Sequence, residues 1–159
     1  MCCALSNADS WLMAYDAIRN HLSTRLHYDW DDCPELPEAN SARLAMRELC
    51  AEFNTKYDAK LSELVKELHL SRATVFPEFV AVTNSMYSDG IQWGRIVCLY
   101  AFSCRLAEVA VMTRQPQLVS SVAEWLAVVT VRTLQPWVFD HDGWVGSTIV
   151  CVFITCFYF

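Results

Sequence analysis

Two neighbouring apolar segments constrain the fold of this chain more than any other feature. Residues 96–112 carry only two charged side chains, Arg105 and Glu108, and are apolar on nearly every helical face. Pro116 breaks the pattern, and residues 118–134 are again mostly apolar. A helix that is apolar all round is stable in water only when other elements surround it. The sequence therefore predicts a buried helical hairpin at the centre of the fold.

Apolar residues also recur at steps of three and four in shorter segments on either side of this hairpin. The segments cover residues 10–26, 42–57, 61–68 and 75–86, and a further short piece starts at Pro136. Only four glycines and five prolines occur in 159 residues, which argues against a fold of many short strands and turns. We therefore expect a single domain over residues 1–159, an all-α bundle of seven to eight helices around a central apolar hairpin.

The chain is acidic, because 12 basic and 18 acidic side chains give a formal net charge of −6. Since Lys and Arg hold nucleic-acid backbones, this balance gives no reason to propose a nucleic-acid partner. Part of the acidity lies in residues 29–41, which also contain Pro34 and Pro37 and are interpreted as a solvated linker. At the N-terminus no basic segment precedes an apolar stretch, so we expect no secretory signal and an intracellular protein.

Eight cysteines raise the question of a disulfide framework or a metal site. No Cys-x-x-Cys pair occurs, and the four histidines do not bracket a cysteine pair at zinc-like spacing. The thiols are interpreted as small apolar side chains in a reducing compartment. We expect no metal and no cofactor.

No catalytic motif stands out in the sequence, which lacks a glycine-rich phosphate loop, His-Glu-x-x-His and Gly-x-Ser-x-Gly. Asp140, His141 and Asp142 are adjacent, but a charged turn between helices explains them better than an acid/base set does. We therefore expect a protein that is not an enzyme and has no catalytic residues. The alternative of a thiol enzyme stays open, because cysteine and histidine partners meet only in space, and it requires a cysteine of lowered pKa.

Two short motifs carry the strongest functional signal. Residues 89–97 read DGIQWGRIV, and residues 134–144 read LQPWVFDHDGW. They resemble the first and second homology motifs (BH1 and BH2) of the Bcl-2 family of apoptosis regulators, in the expected order and joined by the apolar hairpin. The resemblance covers residues 42–145 and implies a Bcl-2-like helical bundle, with BH1 over residues 86–105 and BH2 over residues 134–145.

The second predicted helix, residues 43–57, resembles a degenerate BH3 motif, the segment that members of this family insert into each other's grooves. The expected Leu-x-x-x-Gly-Asp is replaced by MRELCA at residues 46–51, so Ala51 stands where the motif has its Asp. Arg95, the BH1 arginine that pairs with a partner's Asp, is retained. The resemblance thus implies a receptor for other proteins' BH3 helices rather than a BH3 donor.

The resemblance also assigns a BH3-binding groove to residues of this sequence. Arg95 would donate charge-assisted hydrogen bonds to the ligand's Asp, and Gln92 keeps an amide where Asn is usual. Lys60 stands where a small residue is common and Ser85 where an acidic one often sits, which narrows the range of ligands. The implied ligand-binding residues are Phe53, Tyr57, Leu61, Leu64, Val82, Met86, Gln92, Trp93, Gly94, Arg95, Val97 and Phe102. The apolar members of this set also fit an ordinary helix core, and both interpretations stay open.

By this resemblance the chain is an anti-apoptotic protein that binds BH3 helices of pro-apoptotic proteins in a hydrophobic groove and so inhibits host-cell apoptosis. The implied partners are Bim-like BH3-only proteins or Bax and Bak. The short acidic linker makes the chain similar to compact viral pro-survival homologues. The alternative within the same fold is a pro-apoptotic effector that permeabilises membranes with its apolar hairpin.

The last predicted feature is an apolar C-terminal end over residues 146–159. The 17 residues after Asp142 carry no charged side chain, whereas a membrane-spanning helix needs about 20 apolar residues. No basic residue flanks this end on its N-terminal side. Three interpretations stay open: a final helix packed on the core, a homodimer surface and a membrane anchor. The corresponding location is the host cytoplasm or the mitochondrial outer membrane.

Overall fold

The structure is a computed structural model that describes residues 7–68 and 74–144. These residues form the helices α1 (Asn7–Leu26), α2 (Ser41–Lys56), α3 (Asp58–Glu67), α4 (Val75–Met86), α5 (Trp93–Met112), α6 (Gln117–Val129) and α7 (Gln135–Asp140). A π-helical segment, Thr130–Leu134, joins α6 to α7 without interruption, so the two ranges contain six continuous helical rods. The predicted all-α bundle is confirmed, with slightly fewer helices than the seven to eight expected, because the piece at Pro136 continues the helix before it.

Helix α5 is the central element of the bundle. It contacts α1, α2, α3, α4 and α6, and most of its residues are buried. Leu99, Tyr100 and Phe102 have no exposed surface, at 0% each. The hydroxyl groups of Tyr100 and Thr130 lie 2.7 Å apart and satisfy each other inside the core. The predicted buried hairpin is therefore confirmed, and its first helix begins at Trp93 rather than at residue 96.

Local sequence signals fix where α2 begins and where the chain turns after α4. Asn40 has an extended backbone, and its side-chain oxygen accepts the N–H of Arg43 at 3.0 Å, so α2 begins at Ser41. After α4, Gly90 adopts a φ of +107°, which glycine reaches without the strain that a Cβ atom would cause. This turn brings the chain directly into α5.

Trp30 anchors the linker between α1 and α2 to the bundle, and Arg43 of α2 also holds it by donating to the carbonyl oxygens of Pro37 and Glu38. Trp30 is 6% exposed, its ring stacks on Tyr15 with centroids 5.8 Å apart, and its Nε1 donates to Ser120 Oγ at 3.3 Å. The acidic side chains of the linker are exposed. The interpretation of residues 29–41 as solvated is correct for these charges but wrong for Trp30, whose large apolar surface leaves water.

The predicted apolar C-terminal end, residues 146–159, lies outside the described residues. Its three interpretations, a packed helix, a dimer surface and a membrane anchor, therefore stay predictions. Among the helices that are described, none combines the length and the apolar character needed to span a lipid bilayer.

Candidate helix-binding groove

The α2–α3 junction supplies the first wall of the predicted groove. Because α3 restarts one residue after α2 ends, positions 53, 57, 61 and 64 keep helical spacing. Phe53 and Leu61 are buried, at 5% and 4% exposure, whereas Tyr57 and Leu64 are half-buried. The rings of Phe53 and Tyr57 pack with centroids 4.7 Å apart. Tyr57 and Leu64 are thus the parts of this wall that a ligand can touch.

Two lysines flank the ring of Tyr57. The Nζ atoms of Lys56 and Lys60 lie 5.6 Å and 5.8 Å from its centroid. Both distances fall within the range over which an aromatic face attracts a cation. The wall therefore carries positive charge beside its accessible aromatic ring.

Helix α4 and the first half of α5 supply the remaining apolar residues of the predicted site. Val82 and Met86 lie one turn apart on α4 and are half-buried. On α5, Val97 and Phe102 are 1% and 0% exposed, and the ring of Phe102 stacks on Phe79 of α4 at 6.3 Å between centroids. Val97 and Phe102 are therefore core residues in this conformation, and their role as a groove floor stays a prediction.

Arg95 is held at the end of α4 by backbone carbonyls. Its Nη1 donates to the carbonyl oxygens of Met86 at 3.3 Å and of Gly90 at 3.0 Å. Carbonyls at the C-terminal end of a helix favour a positive charge, so this position suits a guanidinium. Within residues 7–68 and 74–144 no carboxylate forms an ion pair with Arg95. Since a guanidinium has five N–H donors, the half-buried Arg95 keeps donors for an acidic ligand group.

Tyr87 fixes the backbone of Arg95 from the other side. Its hydroxyl donates to the Arg95 carbonyl oxygen at 3.3 Å. Burial, together with the nearby Cys98, raises the pKa of Tyr87 well above its usual value, and the charge of Arg95 opposes this shift only in part. The hydroxyl therefore stays protonated and keeps donating at neutral pH.

The two sequence motifs meet in a cluster of tryptophans. The ring of Trp93 packs edge-on against Trp137 at 5.0 Å and lies 6.2 Å from Trp144, measured between centroids. Trp93 and Gly94 are buried, and Trp93 packs against the tryptophans of BH2 rather than facing solvent. Gln92 is exposed at the start of α5, and its side chain makes no capping bond there. Of the predicted ligand-binding residues, Gln92 is the one that presents a polar group fully to solvent.

The sequence match to known proteins covers the same part of the chain. The profile described as apoptosis regulator proteins of the Bcl-2 family matches residues 46–144, which contain the groove walls, Arg95 and both tryptophan motifs. The chain belongs to the Bcl-2 family. The resemblance drawn from BH1 and BH2 is thereby confirmed. The matching profile describes the members of this family as apoptosis regulators.

Curated Bcl-2 family relatives support the same assignment. Bcl-2-like protein 1 of Homo sapiens is 30% identical over 141 residues, which are 89% of this chain and 60% of that protein. Apoptosis regulator Bcl-2 of Gallus gallus is 32% identical over 108 residues, or 68% of this chain and 46% of that protein. Apoptosis regulator R1 of Xenopus laevis is 28% identical over 145 residues, or 90% and 61%. The chain thus spans less than two thirds of the length of these relatives.

Behind the α2–α3 wall of this Bcl-2 family bundle lies a buried polar cluster that the sequence analysis did not predict. Arg105 of α5 is 4% exposed, and its guanidinium donates to Asp58 Oδ1 at 2.7 Å, Ser62 Oγ at 2.9 Å and Asn54 Oδ1 at 3.2 Å. Glu108, one turn further along α5, lies 3.2 Å from Nε of Arg105. The signal in the sequence was a pair of charges in an apolar helix, because a buried charge requires partners.

Glu108 connects this cluster to α1. Its Oε1 accepts from Nε of Arg25 at 3.1 Å, and its Oε2 lies 3.8 Å from Nε2 of His21. Burial acts to raise the pKa of Glu108, but the nearby imidazole of His21 and the hydrogen bond and charge of Arg25 outweigh it and hold the pKa at about 2. Glu108 is therefore ionised at neutral pH and ties α5 to α1.

A second apolar recess lies on another face of α4, between α4 and α6. Its volume is about 580 Å³. Phe76 is 48% and Val80 37% exposed at its edge, and the Phe76 ring packs on Trp125 at 5.1 Å between centroids. Glu124 is the one charged residue in its lining. None of the predicted ligand-binding residues lines this recess, and the two of them on α4, Val82 and Met86, lie on its neighbouring face.

The cysteines of the described residues are free thiols. Burial raises the pKa of Cys33 and raises that of Cys98 to about 11, while contact with Cys104 and burial raise the pKa of Cys50. Since the thiolate is the nucleophile, Cys33, Cys50 and Cys98 lack the lowered pKa that a thiol enzyme requires. In the same part of the chain no three His, Cys, Asp or Glu side chains are grouped so that they could hold a metal ion.

Proposed function

We propose that this Bcl-2 family protein is anti-apoptotic and inhibits apoptosis of the host cell by binding BH3 helices of pro-apoptotic proteins. The proposed partners are Bim-like BH3-only proteins and Bax or Bak. The observation that carries the proposal is the position of Arg95, whose Nη1 is held 3.3 Å from the Met86 carbonyl and 3.0 Å from that of Gly90. A cation fixed beside half-buried apolar side chains matches a BH3 helix, which carries an Asp next to its apolar face.

Binding follows the helix-in-groove mode. A BH3 segment is disordered alone and becomes an amphipathic helix when its apolar residues leave water. Tyr57, Leu64, Val82 and Met86 offer apolar surface for this step, since each is half-buried. Arg95 then donates charge-assisted hydrogen bonds to the ligand's Asp. The ligand displaces no internal carboxylate, because Arg95 has no ion pair within the described residues.

The state of α2 favours a receptor over a BH3 donor. Ala51 occupies the place of the motif's Asp, and the BH3-like side chains Met46 and Leu49 are 2% and 3% exposed. A donor would have to expose both, and burial of one such side chain contributes roughly 1.5–3 kcal/mol to the fold. The same loss weighs against the alternative of a membrane-permeabilising effector that self-associates through BH3 contacts.

Charges around the groove favour acidic groups on the ligand. Lys56 and Lys60 flank Tyr57 on the α2–α3 wall. On the opposite wall Ser85 is exposed and offers no carboxylate to a basic ligand residue. We therefore expect BH3 helices with an acidic residue beside the Tyr57 ring, between Lys56 and Lys60, to bind more tightly than helices with a basic residue there.

We also propose a viral origin and a cellular location for this protein. The linker of residues 29–41 is short and tethered by Trp30, which makes the protein similar to compact viral pro-survival homologues. A protein that restrains Bax and Bak acts in the host cytoplasm or at the mitochondrial outer membrane. Fractionation of cells that express the full chain tests this location, and recovery outside both fractions contradicts it.

The apolar residues 146–159 bear on self-association and membrane binding. An uncharged end of this kind exposes apolar surface unless the core, a second copy or a membrane covers it. Light scattering of the full chain and of a chain ending at Ser147 tests the homodimer. Equal monomer masses for both chains contradict a dimer formed through this end. If the full chain floats with liposomes and the shortened chain does not, the membrane anchor is supported.

Calorimetry with BH3 peptides of Bim, Bax and Bak tests the proposed function. We expect binding to the full chain and at least about tenfold weaker binding to Arg95→Ala, since a hydrogen bond to a charged group contributes about 1.5–3 kcal/mol. Arg132→Ala removes an exposed arginine from the segment after α6 and serves as the matched control, with unchanged affinity. Absence of binding for every peptide contradicts the proposal. Dye release from liposomes by the full chain alone supports the effector alternative instead.

A further inference from the structure

Arg105 holds the beginning of α3 from behind the groove wall. Its Nη2 donates to Asp58 Oδ1 at 2.7 Å and its Nη1 to Ser62 Oγ at 2.9 Å, so one guanidinium contacts the first two turns of α3. Its Nε and Nη2 also donate to the side-chain and main-chain oxygens of Asn54, at 3.2 Å and 3.5 Å. Asn54 lies in the last turn of α2. Arg105 therefore bridges the two helices and fixes the direction in which α3 leaves α2.

Helix α3 depends on this contact because its other attachments are few. Leu61 and Val65 are the buried residues among its ten. A helix of this length is not stable in water by itself, so contacts with the bundle decide whether it forms. Arg105 is 4% exposed, and a charge buried to that degree stays in place only with partners such as Asp58 and Glu108.

We propose that Arg105 is a positioning residue for the BH3 groove: through Asp58 and Ser62 it holds α3 against α5 and sets the place of Tyr57 and Leu64. This inference rests on the proposed function, because the ligand of the groove is the BH3 helix. Arg105 does not touch the ligand, since its side chain is closed off behind the wall. When the contact with Asp58 is weakened, α3 leaves its binding position for part of the time, and the apparent affinity falls by the fraction lost.

Asp58→Asn tests the proposal with little disturbance of the core, because the Asp58 side chain is 59% exposed. It also removes the weaker pairing of Asp58 with Arg25 of α1, whose Nη2 lies 3.9 Å from the same carboxyl oxygen. Glu63→Gln is the matched control: it makes the same change of charge at an exposed position of the same helix. The first measurement is amide hydrogen exchange of the free full chain. We expect Asp58→Asn to speed exchange in residues 58–67 about tenfold and to leave α6 unchanged, whereas a general loss of stability would speed both.

The second measurement is the affinity for a Bim BH3 peptide. We expect Asp58→Asn to weaken binding about twofold, as for an α3 displaced about half of the time, and Glu63→Gln to leave it unchanged. Two results would overturn the positioning role alone. One is normal binding with unchanged exchange in α3, and the other is faster exchange in α3 with undiminished affinity. Failure of the unmodified chain to bind any BH3 peptide overturns the proposed function and the positioning role with it, so the two failures are distinguishable.

Discussion

Nε of Arg25 lies 3.1 Å from Oε1 of Glu108 and joins the outer surface of α1 to the buried interior of α5. The Arg25 side chain is 40% exposed and that of Glu108 7%. Nε2 of His21 lies 3.8 Å from the other carboxyl oxygen. Removing the charge of Glu108 therefore leaves Arg105 without one partner and removes an ion pair that joins α1 to α5.

This ion pair makes the stability of the protein depend on pH. Since the Glu108 pKa is held at about 2 against an ordinary 4.5, the unfolded chain binds the proton first as the pH falls. The stabilisation is complete above about pH 4.5 and is lost between that pH and about 2. Glu108→Gln lowers the free energy of unfolding by about 2 kcal/mol at neutral pH, where the charged hydrogen bonds are lost. Urea unfolding of both proteins measures the difference, which shrinks in acid; a difference that is constant with pH contradicts the prediction.

The hydroxyl contact between Tyr100 and Thr130 gives a second prediction. Thr130→Val removes a partner 2.7 Å from a completely buried Tyr100 hydroxyl, and an unsatisfied buried group costs about 1–3 kcal/mol. Thr130→Ser keeps the hydroxyl and should lose less. Thermal unfolding ranks the stabilities of these variants. Tyr100→Phe is measured alone and combined with Thr130→Val, and the double variant lacks both hydroxyls. If the double variant is as unstable as the sum of the single changes, the two hydroxyls do not act as a pair.

Asp142 occupies a turn where glycine is favoured. Its φ is +70°, and Gly143 follows with +71°. Because a Cβ atom is strained in this region, Asp142→Gly is expected to raise the free energy of unfolding by about 0.5–1 kcal/mol. Asp140→Gly, at the last residue of α7, is the control and should not raise the free energy of unfolding. Chemical denaturation measures both, and a destabilised Asp142→Gly protein would show that the Asp side chain makes a compensating contact.

Trp30 should contribute to stability although it lies in a linker. Trp30→Ala removes a ring that is 6% exposed and stacked on Tyr15, so we expect a loss of about 3 kcal/mol, as for other large aromatic residues in cores. Asp31→Ala changes an exposed neighbour and is expected to have no measurable effect. Calorimetric melting compares the two. Equal melting temperatures would mean that burial of the Trp30 ring does not stabilise the fold.

Helical segments and the two motifs were predictable because they are properties of short stretches of chain. The spacing of apolar residues located α2, α4 and the α5–α6 hairpin, and the cap at Asn40 and the turn at Gly90 fixed ends within a few residues. The same periodicity failed for Trp30, because a single aromatic residue within an acidic segment has no pattern around it. The recess between α4 and α6 was missed because α4 is apolar on more than one face, and periodicity does not tell which face is covered.

The groove was only partly predictable for a related reason. Sequence resemblance assigned Phe53, Val97 and Phe102 to ligand binding, yet the same residues fit a core stripe, and their burial in the free protein depends on neighbouring helices. The sequence identified Arg95 as a binding residue. It did not show that the carbonyl groups of Met86 and Gly90 hold its guanidinium, because that contact depends on how α4 packs against α5. Whether these residues contact a BH3 helix stays a prediction for the peptide experiments.

Short stretches of the chain were enough to establish an all-helical protein of the Bcl-2 family with a buried central hairpin, since hydrophobic periodicity and the BH1 and BH2 motifs are local patterns. The partners of Arg105 and Glu108, in contrast, depend on how the helices pack. Asp58 lies 47 positions from Arg105, and Arg25 lies 83 positions from Glu108, so no local pattern links them. Buried charges must find opposite charges wherever packing brings them, and three-dimensional packing alone determines which distant side chains those are.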